Sequence, residues 1–206
     1  MQARSTLLSV FVTALWASLG LASMGGGSKP ESPPPANPNL PSSSAANPSG
    51  PHQEAEAIYA LAYEEIAKAK KDLAGGKTKN AEKKFKRALD RGERAVALDS
   101  TYHEAWNLVG YAARKLGNYD KAFAAYDKCL SLDPDYAPAR EYLGEAWLER
   151  GDAKKAREQL ARLEEINPGS TDAQTLRTAI ETYEAAHPAA ASDSTGASTS
   201  GEAVKP

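Results

Sequence analysis

Between Glu54 and Ala74 the apolar positions Ile58, Leu61, Ala62, Ile66, Ala69 and Leu73 recur at spacings that put them on one helix face. Gly75-Gly76 ends that helix, glycine being the residue that most easily takes the turn after one. The next stripe is Ala81, Phe85, Ala88, Leu89, Ala95, Val96 and Leu98, with Asn80 placed to cap it. Thr101-x-x-Glu104 has the form of a capping box and predicts a third helix running to about Leu116. Gly117-Asn118 turns the chain into a fourth, from Tyr119 to about Leu132. Asp133-Pro134 stops it, because proline disfavours a helical residue before it and has no N–H to donate. A fifth helix runs from about Tyr136 to Arg150, with Pro138 tolerated in its first turn. A sixth spans 153–166 and stops at Asn167-Pro168. Thr171-x-x-Gln174 opens a last one, 172–186, made polar by Thr175, Arg177, Thr178 and Glu181, as a terminal capping helix should be. Nothing alternates with strand period, so the expected fold class is all-α with about seven helices.

A longer period is laid over this one. Gly110, Gly117, Ala122 and Pro134 return 34 residues later as Gly144, Gly151, Ala156 and Pro168. Aligning 103–136 with 137–170 gives seven identities, the others being Ala105/Ala139, Ala112/Ala146 and Lys121/Lys155. Such a period, with small residues inside and proline at the end, marks stacked helix–turn–helix units. Units of this kind bury a shared apolar seam and leave a grooved surface for a partner.

The pattern Trp106, Val109, Gly110, Ala113, Ala122, Tyr126, Cys129, Pro134 resembles the tetratricopeptide repeat. Residues 137–170 resemble it again through Leu143, Gly144, Trp147, Ala156, Leu160, Leu163 and Pro168, with Arg140 in place of the tryptophan. The resemblance implies an antiparallel helix-pair solenoid wound as a right-handed superhelix. It also implies that Gly or Ala at the eighth and twentieth positions lets the two helices of a unit approach closely. A degenerate unit, 54–100, precedes the two: Ala81-Glu-Lys-Lys-Phe85 looks like the start of its second helix, and Ser100 stands at the proline position. The step of 41 residues from Ala81 to Ala122 predicts a two-turn insertion around Asp90–Arg94. The chain also looks like the small exported repeat proteins of bacterial envelopes.

Composition limits how much of the 206 residues folds. Residues 28–51 hold eight of the thirteen prolines, and 187–206 are Ala, Ser, Thr and Gly with almost no large apolar side chain. Neither stretch buries enough surface to offset chain entropy. The expected organisation is a disordered Pro/Ser/Asn-rich linker over 25–52, a helical domain over 53–186 with 171–186 as its cap, and a disordered tail over 187–206. Ahead of the linker, the uncharged run Leu7–Ala22 (LLSVFVTALWASLGLA) follows Arg4. Its length suits a secretory apolar core and is short for a membrane span. Residues 1–24 read as a signal peptide cut after Ala22, with Gly20 and Ala22 as the small flanking residues, or as an uncleaved N-terminal anchor. No cysteine lies near the end of the run, which excludes a lipoprotein. Either reading places the domain in the periplasm or cell envelope, with membrane proximity through the N-terminal segment.

In the family resembled, the first helix of each unit lines a concave groove. The contact positions it implies are Glu104, Asn107, Tyr111, Arg114 and Lys115, then Pro138, Glu141, Glu145, Leu148 and Glu149. Glu141, Glu145 and Glu149 follow i, i+4, i+8 on one helix face, opposite Asn107 and Tyr111, with Tyr59 and Tyr63 joining from the first helix. Three like charges in a row repel mildly. They read as a solvated acidic face relieved by Arg140 and Arg150, or as an acidic, tyrosine-lined groove for a Lys/Arg-rich extended peptide. Lys83, Arg87, Arg91 and Arg94 form a second stripe. It belongs to a basic stretch, 68–94, with eleven Lys/Arg against four Asp/Glu, followed by 95–186 with eleven against sixteen. The stripe reads as a solvated face interspersed with Glu82, Asp90 and Glu93, or as a surface drawn to an anionic envelope component.

A formal charge of −2 excludes a generally polybasic, nucleic-acid-coating protein. One cysteine, Cys129, excludes an internal disulfide and a multi-cysteine metal site, and its place in the repeat reads as core packing. Gly76-Lys77-Thr78 has the end of a phosphate-binding loop, but Lys71 stands where the earlier glycine is required and no strand precedes it. His52, His103 and His187 are scattered, and no catalytic constellation can be assembled. The expectation is a non-catalytic scaffold without cofactor or metal that binds a protein or peptide in its groove. The rival is surface attachment through 68–94. Nothing in the sequence sets the oligomeric state.

Overall fold

The computed structural model describes residues 50–188, all within one compact unit. The expected signal or anchor segment, most of the linker and most of the tail lie outside those residues. Seven helices follow in order: α1 Pro51–Ala74, α2 Thr78–Leu98, α3 His103–Lys115, α4 Tyr119–Leu132, α5 Ala137–Glu149, α6 Ala153–Ile166 and α7 Thr171–Ala186. No strand occurs among the described residues. Each of the pairs α1/α2, α3/α4 and α5/α6 packs most extensively on itself, and α7 packs on both α5 and α6. The architecture is the all-α helix-pair solenoid.

Helix termini follow local chemistry, not always as the sequence suggested. Gly117 and Gly151 hold φ of 75° and 86°, a region that L side chains rarely adopt. They let the chain leave α3 and α5 with Asn118 and Asp152 N–H groups bonded back to the Ala113 and Trp147 carbonyls, each at 2.9 Å. Asn118 and Asp152 then cap α4 and α6, accepting from the Lys121 and Lys155 N–H groups at 3.2 and 3.0 Å. Three expected caps are different. Asn80 lies inside the first turn of α2, which begins at Thr78. Thr101 does not cap α3; its N–H and hydroxyl both bond the Asp99 carboxylate, at 2.8 and 2.6 Å. Ser170, not Thr171, caps α7 by accepting from the Ala173 N–H. Helix α1 opens at Pro51, a residue suited to a first turn because its missing N–H has no partner there anyway.

The extra length of the first unit is absorbed as helix. α2 has 21 residues against 14 in α4 and α6, so the inserted seven residues form two uninterrupted turns. Gly92 lies on the inserted part, where a Cβ would sit 2.9 Å from the Leu108 and Val109 side chains, and so lets α3 close on α2. Gly110 likewise lies under the Tyr126 ring of α4, where a Cβ would come within 2.6 Å. The equivalent Gly144 differs from expectation: the space over it is filled by Leu176 of α7, not by its partner helix α6.

Two buried clusters make up the core. The larger runs from Ala55 to Ala146 through α1–α5, and the smaller joins Leu148 to Leu163, Leu176 and Ile180 on α6 and α7. Trp147 packs against both, stacked on Phe123 at 4.0 Å and covered by the Lys155 ammonium at 3.8 Å. The first two units also share a closure at one end. His52 lies 2.5 Å from Asp99 and edge-on to Tyr102, and His103 lies 3.6 Å from Asp133 and edge-on to Tyr136. In the third unit those positions hold Ala137, Asn167 and Ser170, which cannot repeat it.

Candidate functional site

The seam between the first helices of the units is where the expected groove residues fall, and most of them are packed. Tyr111 is fully buried, with ring centroids of Phe85 on α2 at 6.3 Å and Tyr142 on α5 at 5.0 Å. Three cations surround its ring: Lys70 of α1 at 5.6 Å, Arg114 at 5.6 Å and Lys115 at 5.4 Å from the centroid. Charge over an aromatic face gains from the ring quadrupole, more so when water is excluded. Arg114, 3% exposed, also lies 5.7 Å from the Tyr142 centroid. Its guanidinium reaches the Glu145 carboxylate at 2.6 Å and Glu149 at 3.5 Å.

This arrangement changes the picture of an open acidic row. Glu141 is 1% exposed, Glu145 is half-buried against Arg114, and only Glu149 stands in solvent. The i, i+4, i+8 spacing did put the glutamates on one face, but that face turns toward α3, where Arg114 answers it. Glu149 also touches Tyr119, whose phenol is pushed up first by burial and then by the Glu149 carboxylate. Asn107 is 1% exposed, and its side-chain oxygen has no hydrogen-bond partner. Tyr59 is buried against Tyr102 at 5.2 Å, and burial pushes its hydroxyl far up. Tyr63, its neighbour at 6.3 Å, remains half-exposed. Lys70 is the groove residue the sequence reading missed. It falls seven residues after Tyr63, on the same helix face, a signal that was present in the α1 pattern.

The expected basic stripe is split by the structure. Arg87 donates to one Glu65 oxygen through Nε at 3.0 Å and Nη2 at 2.8 Å, and Arg91 donates to the other at 2.9 Å. Those two arginines tie α2 to α1 across a nearly buried carboxylate. Lys83 and Arg94 face solvent.

No group of three or more His, Cys, Asp or Glu among the described residues could hold a metal. No described helix is long and apolar enough to cross a membrane. The Gly76-Lys77-Thr78 turn, beside an open hollow, joins two helices, so a phosphate-binding loop of the strand–loop–helix kind is not formed.

Stacked helix pairs, close glycine contacts and a seam of first-helix side chains define a helical repeat scaffold. Two family models described as tetratricopeptide repeat match the chain, over residues 66–137 and 113–180. Together they cover residues 66–180, where the chain carries tetratricopeptide repeats. A tetratricopeptide repeat-containing protein, trd-1, of Caenorhabditis elegans is 33% identical over 75 residues, which is 36% of this chain and 10% of that protein. The chain thus matches about a tenth of that relative's length. Repeats of this family generally mediate protein–protein contacts and are typically non-enzymatic.

Proposed function

We propose that the protein is an exported, non-catalytic scaffold that holds an extended segment of a partner protein along its first helices. The observation that carries this reading is the continuous polar and aromatic seam from α1 to α5: Lys70, Tyr111, Arg114, Glu145 and Glu149. Its outer members, Tyr63, Lys115 and Glu149, are part-exposed, so a partner has both aromatic area and charge to meet. A Lys/Arg side chain of the partner would engage Glu149, the one glutamate of the row that stands in solvent. Charge selectivity is then weaker than three open carboxylates would give, because Glu141 is buried and Arg114 already pairs with Glu145. Export rests on the Leu7–Ala22 run, which suits a cleaved signal peptide.

A photo-reactive phenylalanine tests the face directly, placed in cells at Tyr63 or Glu149 and, as controls, at exposed Ala124 or Ala161 on the second helices α4 and α6. Adducts to a common protein from the first two positions alone are expected. Adducts from the controls alone, or equal adducts from all four, would sink the groove reading. Intact mass of the purified protein tests export, with a mature N-terminus at Ser23 expected.

A further inference from the structure

The turn between α1 and α2 brings together two exposed features of opposite character. Leu73, at the end of α1, is 43% exposed, one of two large apolar side chains so placed among the described residues. At the same end of the helix pair, Lys71, Lys77, Lys79 and Lys83 are exposed, and none of the four ammonium groups has an ion-pair partner. Asp72, the acidic residue among them, is already held by Lys84. The next acid along the chain is Glu82. Gly75 and Gly76 leave the tip without side chains, so a surface can approach its backbone closely. Four unpaired cations of the first unit thus lie at or near this tip, with Lys86 and Arg94 exposed further along α2, while Arg87 and Arg91 of the expected stripe are held by Glu65.

A leucine exposed at the same helix end as four unpaired ammonium groups suits one chemistry better than others. An acidic peptide would satisfy the lysines and offer nothing to Leu73, because the open hollow at the tip is lined by Gly76, Lys77, Thr78, Lys79 and Asn80 and does not include that side chain. A soluble polyanion has the same shortcoming. A bilayer carrying anionic lipid supplies negative charge at headgroup depth and hydrocarbon beneath it. We propose that the α1–α2 tip docks on an anionic lipid surface, with Leu73 entering the acyl boundary and Lys71, Lys77, Lys79 and Lys83 lying among the headgroups. Each lysine near such a surface contributes about a fivefold gain in partitioning. One leucine adds a small apolar increment, so the contact is weak, reversible and labile to salt.

Sedimentation of the full chain with vesicles tests this, using neutral phosphatidylcholine vesicles and the same lipid with about one third phosphatidylserine. Binding to neutral vesicles reports the N-terminal apolar run, which is common to every variant. The wild type is expected to prefer anionic vesicles on the order of several hundredfold at low salt. Lys77→Gln/Lys79→Gln/Lys83→Gln should remove most of that preference, on the order of a hundredfold at low salt. Leu73→Ser, which keeps every charge, should weaken it severalfold. Lys128→Gln/Lys154→Gln, exposed lysines on α4 and α6, should leave it within about twofold of wild type. All these side chains are exposed, and far-UV circular dichroism checks that each variant keeps its helices. Equal partitioning into both vesicle types overturns the proposal. So does a Leu73→Ser variant that binds like wild type while polyglutamate strips the protein from vesicles, an outcome that would assign the tip to an acidic polymer.

Discussion

The Arg114 guanidinium lies 2.6 Å from the Glu145 carboxylate across the boundary between two repeats, and its side chain is 1% exposed. Burying both ions costs solvation, which their attraction and further hydrogen bonds must offset. Removing Arg114 leaves the half-buried Glu145 carboxylate without its cation. Arg114→Met should therefore destabilise the domain by about 3 kcal/mol, read from urea unfolding followed by circular dichroism. Arg114→Met/Glu145→Met should recover much of the loss. A single variant that unfolds at the wild-type midpoint would show that the pair contributes nothing to the junction.

Gly144 gives a test of how the last helix is held. A Cβ there would meet the Leu176 methyl groups at 2.5 and 2.6 Å, well inside contact distance. Gly144→Ala should cost about 1–3 kcal/mol from overpacking, against the small gain in helix propensity that alanine usually brings. Combined with Leu176→Ala, the glycine substitution should become nearly neutral relative to Leu176→Ala alone. If the two effects simply add, α7 does not close over α5 in solution.

The clamp on Glu65 makes stability depend on pH in a defined direction. Burial pushes its carboxyl up, but the hydrogen bonds and charges of Arg87 and Arg91 outweigh burial and hold it below the usual glutamate range. A folded value below the unfolded one, about 4.3, contributes stability above that pH and loses it as pH falls. Glu65→Gln should thus lower Tm at pH 7 and differ less from wild type near pH 4. Melting curves with the same gap at both pH values would rule this out.

Cys129 offers a probe of global opening. It is fully buried, and burial first, with the nearby Asp133 and Glu104 charges, pushes its thiol far up. Alkylation at pH 8 should be negligible in the native protein and complete in denaturant, since only the thiolate reacts. Rapid native labelling would mean that α4 leaves the core on the experimental timescale.

Periodicity carried most of the architecture. The 3.6-residue stripes and the Gly/Pro punctuation marked all the helices, because those signals come from local backbone chemistry. The caps went astray at Thr101 and Asn80, where a competing acceptor, Asp99, or an earlier helix start, Thr78, decided the outcome; each lies two residues away, outside the capping pattern that was read. The seam was legible as positions and illegible as exposure. Nothing in the spacing of Glu141, Glu145 and Glu149 says that Arg114 of the preceding unit fills the space facing them. Arg87 and Arg91 are hidden from sequence reading in the same way, because their partner Glu65 is more than twenty residues away. Lys71, Leu73, Lys77 and Lys79 are close in sequence, yet only the fold shows that they remain free.

The core divides where Trp147 alone bridges two clusters, and the histidine closure of the first two units is missing from the third. Such a molecule does not come apart evenly. α5, α6 and α7 form the block with least tying it to the rest, joined mainly where α5 meets α3 and α4, so their amides should exchange before those of α1–α4. A partner segment that reached from Glu149 toward α7 would meet the softest part of the array and stiffen it on arrival. A segment confined to Tyr63 and Lys115 would rest on a platform that hardly moves.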